Sequence, residues 1–168
     1  MMAVVVACLP ADTSAQSVIP ADARVVYVSG QRISAESAAG RAGTARLQAM
    51  QAERSAQIRA RQQALETTRK QLAGATTPEE RTRLTLQEAT ERSDIERAAI
   101  QMQQDLQKLQ NEISSELRQK IVAVLNEVLK GTKVEMVANL ETAVVWAAPG
   151  LDITSLVLEK MNATTPRP

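Results

Sequence analysis

The 168-residue sequence predicts an α+β protein that is mostly α: a small β-body made from strands at both ends of the chain, carrying a long protruding two-helix hairpin arm. Three observations predict it. Ala, Gln, Glu, Arg and Leu crowd the middle of the chain with apolar residues at helical spacing, the alphabet of long helices. Phe is absent and Trp146 and Tyr27 stand alone, so the side chains that usually dominate a globular core are missing. β-Branched runs bounded by turn residues lie near the two ends, around Val25–Val28 and beyond Gly131.

Residues 1–15 hold a short apolar run, Met1 to Pro10, followed by Ala11-Asp12-Thr13-Ser14-Ala15. The run is too short to span a bilayer and reads as the tail of a secretory signal whose basic start is missing. Thr13-Ser14-Ala15 offers the small residues that a signal peptidase reads, with Gln16 as the first mature residue. Val5-Val6-Ala7-Cys8 also resembles a lipoprotein box, which would place lipid on Cys8. As the single cysteine, Cys8 cannot form an intrachain disulfide.

Residues 18–23 read as a mobile lead-in, and Arg24 to Val28 as a buried strand ending at Ser29-Gly30. These belong to a body formed by residues 24–33 and 131–162, with the arm over 34–130. Ser34 or Ser37 is expected to cap the first helix. Gly40 and Gly43 each weaken its start by roughly 1 kcal/mol relative to Ala, which predicts flexibility or a bend.

The arm folds back at 74–79. Gly74 can end the outbound helix in a left-handed conformation. Thr77 then supplies an N-cap hydroxyl, Pro78 fits the first helical position, and Glu80 completes a T-x-x-E capping box. The outbound stripe Leu47, Gln51, Arg54, Ile58, Arg61, Leu65, Thr68, Leu72 alternates steps of four and three, a heptad seam. Ile95, Ala99, Met102, Leu106, Leu109 and Ile113 face it from the returning helix. The seam then stutters through Leu117, Ile121, Val124 and Val128 before Gly131 closes the helix. Arg54 and Arg61 would be costly to bury, so the seam is expected to face water and the arm to splay. Met50 and Met102 are adaptable side chains for an irregular partner.

Beyond Gly131, residues 132–138 read as a strand, 139–142 as a turn, and 143–147 as another strand. Asp152 is expected to cap a short helix over 153–161, with Ile153, Leu156, Val157 and Lys160 on one face. The segment 163–168 reads as a disordered tail. Such a body has only about 50 residues, marginal by itself. Open strand edges add to the need for cover, so the chain is expected to self-associate. Val25, Val26, Val28, Val134, Met136, Val144, Val145, Trp146 and Ile153 are the residues expected to build that shared body, with Trp146 as an anchor at the junction between copies.

Catalytic chemistry finds little here. His is absent, which removes Ser/His and Cys/His pairs and the usual zinc sets. Paired carboxylates such as Glu88/Glu91 recur on any charged helix face, and no Gly-rich phosphate loop is present. No enzyme and no cofactor are expected. Charge segregation is more informative, although the net charge is only +1. Between Arg54 and Arg83, seven cations (Arg54, Arg59, Arg61, Arg69, Lys70, Arg81, Arg83) stand against three carboxylates, a local +4. From Leu84 to Lys120, five cations meet seven carboxylates, a local −2. A basic tip on a mildly acidic shaft suits capture of anionic chains by long-range attraction.

The two ends of the chain resemble the OmpH/Skp family of periplasmic chaperones. The opening match runs Val25-Val26-Tyr27-Val28-Ser29-Gly30-Gln31-Arg32-Ile33, then Ala35-Glu36-Ser37 and Ala39-Gly40. The closing match is Val134-Glu135-Met136-Val137, Val144-Val145-Trp146 and Leu151-Asp152-Ile153-Thr154. Ser29 departs from the acidic or amide residue common there, and the near-neutral charge departs from the basic character of the best-known members. The resemblance implies a jellyfish-like homotrimer in the periplasm, an ATP-independent holdase for unfolded outer-membrane proteins in a cavity between its arms. Lipopolysaccharide or an anionic membrane surface are further candidate partners. A structural coiled-coil spacer of the envelope is the alternative. Nucleic acid is disfavoured by the export signal and the lack of stacking aromatics.

Overall fold

A computed structural model describes residues 19–148 and 150–164. The expected signal, Cys8 and the end of the tail lie outside them. Chain order is β1 (Val25–Val28), α1 (Gly30–Glu36), α2 (Ala38–Gly74), α3 (Pro78–Val128), β2 (Met136–Asn139), α4 (Leu140–Ala143) and α5 (Thr154–Thr164). The chain is therefore α+β and mostly α, with one long helical hairpin and a two-stranded sheet.

β1 and β2 pair in parallel, with Val25 opposite Met136 and Val28 opposite Asn139. On its other side β1 meets a single bridge to Asp152: the Tyr27 N–H donates to the Leu151 carbonyl at 2.8 Å, and Ile153 N–H to the Tyr27 carbonyl at 2.9 Å. β1 is thus the central element, and the outer edge of β2 is open. Alternation on β1 turns Val26 and Val28 inward against Ile33, Val124, Ile153, Val157, Leu158 and Met161. Three expectations change here. Ile19 and Ala23 pack on this core, and Ala23 N–H closes a turn onto the Pro20 carbonyl, so the lead-in is tied down. The helix α5 starts at Thr154, just after the buried Ile153, and runs to Thr164; its buried face is Val157, Leu158 and Met161 rather than one including Lys160. The expected strand over 143–147 does not form: α4 occupies 140–143, and residues 144–148 belong to no strand.

A break at Ser37 separates α1 from α2. Ser37 is extended (φ −78, ψ 149), and its hydroxyl caps α2 by accepting from Gly40 N–H at 3.0 Å. Ser29, not Ser34, caps α1 through Arg32 N–H. Gly40 and Gly43 are sites of close packing rather than of slack. A Cβ at Gly40 would lie 1.9 Å from the Ser34 carbonyl oxygen, and one at Gly43 2.5 Å from Ile113 Cγ2.

The hairpin turns where its stop and start signals stand. Thr77 Oγ1 accepts from Glu80 N–H, with Pro78 at the helix start and Glu79 and Glu80 in its first turn. Gly74, however, remains helical. The positive φ values belong to Gly131 (82°), which closes α3, and Gly150 (91°). α2, at 37 residues, spans about 55 Å, and the longer α3 runs back along it into the body.

Candidate functional site: the arm and the open edge of the body

Within the body, chain ends are joined by a polar knot. Buried Thr154 receives the Ser29 N–H on its hydroxyl at 2.8 Å, and that hydroxyl donates to Asp152 Oδ1. Asp152 Oδ1 also accepts from Thr154 N–H at 2.9 Å, capping α5. The Asp-Ile-Thr sequence therefore places a cap, a fully buried core residue and an acceptor for β1 in three successive positions. Above it, the Glu141 carboxylate accepts from the Ser29 hydroxyl, from Gly30 N–H at 3.1 Å and from Gln31 N–H at 3.3 Å. The Ser29 hydrogen bond first, then these backbone donors, hold the Glu141 carboxyl below its ordinary value although it faces solvent. α4 is thereby fastened to the start of α1.

Past α4 the chain runs uncovered. Val145 is fully exposed and Trp146 is 79% exposed, with Met136 59% exposed on the open strand β2. Of the residues expected in a shared body, Val26, Val28 and Ile153 lie inside the single chain's own core, while Val25, Val134 and Val144 are half-buried. Met136, Val145 and Trp146 form the uncovered remainder, so Trp146 is not a core anchor within one chain.

On the arm, Leu65 and Leu109 are buried and Ile58, Leu72, Ile95, Met102, Leu106 and Ile113 half-buried between α2 and α3. Leu84, fully buried near the tip, belongs with them although it lies outside the four-three stripe. Arg54 does not force the helices apart. Its Nη2 lies 2.9 Å from Asp105 Oδ2 across the hairpin, while Arg61 points to solvent. Thr68, also buried, donates to Glu91 Oε1 at 3.0 Å. The expected splayed arm is instead a packed hairpin with polar layers.

Pairing across the arm and within it also thins the basic tip. Arg69 meets Glu88 at 2.9 Å, Lys70 lies 3.9 Å from Glu66, and Arg81 Nε donates to the Ala75 carbonyl at 3.0 Å. Among the described residues, Arg59, Arg61 and Arg83 carry no ion pair or hydrogen bond and remain the open cations. The Arg69–Glu88 pair depends on the register between helices, which sequence spacing within one helix does not reveal, whereas Lys70–Glu66 is an i,i+4 pair within α2. No group of His, Cys, Asp and Glu among the described residues is placed to hold a metal ion, and no helix there is long and apolar enough to cross a membrane.

Comparison with known proteins agrees with this architecture. A crystal structure described as that of an OmpH-like outer membrane chaperone from Caulobacter crescentus CB15 superposes with a TM-score of 0.77. It is 21% identical, over 87% of this chain and 88% of that one. No curated protein matches the sequence. The family model for outer membrane proteins of the OmpH-like type matches residues 24–161, from the residue before β1 to the buried Met161 of α5. With that match covering most of its length, the chain belongs to the OmpH-like family.

Proposed function

We propose that the protein is an ATP-independent periplasmic holdase that captures unfolded outer-membrane proteins between helical arms and keeps them from aggregating. The observation that carries this is the uncovered apolar surface of the body: Met136 on the open strand β2 and, past α4, Val145 and Trp146 all stand in water. Single exposed apolar side chains are ordinary, but three large ones in so small a body, together with an open strand edge, call for a cover. Sister copies supply it in a homotrimer, which sets arms of about 55 Å around a common space. Family membership favours the same assembly.

Holding then needs no catalytic step. A chain kept unfolded by many weak contacts is removed from aggregation by mass action, and several arms acting together provide avidity. Arg59, Arg61, Arg83 and the other tip cations would steer anionic clients, lipopolysaccharide or an anionic membrane surface toward the open end.

The test has two arms. Mass in solution at low micromolar concentration should correspond to three copies, and Trp146→Ser with Val145→Ser should lower it. Trp146 emission, the only tryptophan signal, should shift to the blue on assembly. The wild type should also slow aggregation of a denatured outer-membrane β-barrel protein. A folded single copy, or a trimer that leaves the aggregation rate unchanged as an envelope spacer would, refutes the proposal.

A further inference from the structure

α3 has a second organised face, opposite the seam. Around the helix, Leu84, Ile95, Met102, Leu109 and Ile113 point to α2. Half a turn away lies a solvent-facing line: Leu86, Thr90, Ser93, Arg97, Ile100, Gln104, Lys108, Asn111, Ser115, Arg118, Val122, all exposed. Leu86, Ile100 and Val122 are 65%, 56% and 50% exposed, so three of the six large exposed apolar side chains of the described structure share this line. The line holds three cations and no carboxylate. The acids of α3 sit on its flanks and toward α2: Asp105 serves Arg54, Glu88 serves Arg69, and Glu116 serves Arg46. Asp94 and Glu112 reach in from the flank to Arg97 and Lys108, the latter at 4.0 Å, while Arg118 has no carboxylate partner among the described residues.

From this pattern we infer that the outer line of α3 is the docking strip for an extended, unfolded polypeptide carrying apolar and acidic residues. The inference rests on the holdase reading and specifies where such a chain lies. Another helix is a poor occupant, because a helix seam needs an apolar residue about every 3.5 positions and this line has three in 37. A membrane surface needs a continuous apolar face, which is equally lacking. An extended chain fits the spacing. Leu86 to Ile100 is about 21 Å and Ile100 to Val122 about 33 Å along the helix, so roughly 16 extended residues bridge all three anchors. Cations between the anchors complement acidic side chains of the bound chain, and three separated footholds give weak contacts that a sliding chain can exchange.

The experiment uses the full chain and a fluorescent, urea-denatured outer-membrane β-barrel protein diluted into buffer as probe. Leu86→Gln/Ile100→Gln should weaken Kd about tenfold, roughly the loss of two half-covered apolar contacts, with helicity and mass unchanged because Gln is a good helix former. Arg118→Gln should weaken it about twofold and flatten its salt dependence. Ala60→Gln, on an exposed face of α2, should change nothing. Equal affinity of wild type and the double variant overturns the strip but leaves the holdase reading standing. A wild type that does not bind the probe removes both. A double variant of altered mass makes the line an interface between copies, and one that loses only binding to phosphatidylglycerol vesicles makes it a membrane surface; either result overturns the inference.

Discussion

Gly40→Ala should destabilise the protein, against the sign that helix propensity assigns it. In a solvated helix interior the change is favourable by roughly 1 kcal/mol. Here the new Cβ would stand 1.9 Å from the Ser34 carbonyl oxygen, where ordinary contact begins at 3.4 Å. Backbone is on the receiving side, so relief requires α1 to move by more than about 1 Å relative to α2. That movement strains the Ser37 hydroxyl cap on Gly40 N–H (3.0 Å) and the Asn162 Oδ1 acceptor of Ala38 N–H (2.8 Å). Overpacking costs about 1–3 kcal/mol and each of the two loosened hydrogen bonds about 1 kcal/mol, giving a net loss near 2–4 kcal/mol after the propensity gain. Gly74→Ala is the matched control: nothing lies within 4 Å of its Cβ position and its φ is not positive, so it should stabilise by up to about 1 kcal/mol. Urea unfolding followed by circular dichroism at fixed protein concentration reads both. A Gly40→Ala protein as stable as wild type would refute the close approach of α1 to α2.

Asp105→Ala should cost about 1–2 kcal/mol by leaving the half-buried Arg54 guanidinium unpaired, while Arg54→Leu/Asp105→Leu should be neutral or stabilising; urea midpoints decide it. Thr154→Val should lose about 1–3 kcal/mol, since it strips the buried Ser29 N–H of its acceptor. Glu141→Gln bears on acid stability. The folded carboxyl is depressed, so its contribution is complete above the unfolded carboxylate range and disappears as pH falls through the folded value. Thermal midpoints of wild type and Glu141→Gln should therefore differ at neutral pH and converge on acidification, and a gap that widens in acid would contradict the contact with Ser29.

Much of the fold is legible because its signals are local. Gly74 through Glu80 carries turn, cap and first-position proline within seven residues, and the Thr77 cap forms as its spacing requires. The stripe from Ile95 to Ile113 reads one face of one helix and lands on α2. What stays hidden depends on geometry between segments. Gly40 looks like a weak helix former until Ser34 is placed beside it, and Arg54 looks misplaced until Asp105 faces it. Residues 143–147 have strand composition, yet a strand exists only where a neighbouring edge supplies hydrogen bonds, and residues 144–147 pair with no strand among the described residues. In the candidate site, sequence spacing finds the basic tip but not which cations are neutralised. Leu86, Ile100 and Val122 escape notice because 14 and 22 positions separate them, too sparse to register as a stripe.

The parallel pairing of β1 with β2 has a consequence for how the chain is made. Val25 waits for Met136, about 110 positions later, and its other neighbour, Asp152, comes later still. The hairpin closes over short separations, while the body must join the two ends of the polypeptide and carries nearly all the loop-closure entropy. Synthesis should hence deliver a finished arm attached to an unfinished head, with β1 idle until the last segment emerges. Pulsed hydrogen exchange during refolding should protect Leu65 and Leu109 amides before those of Val26 and Ile153. Until the ends meet, the head is itself an unfolded strand in search of a partner.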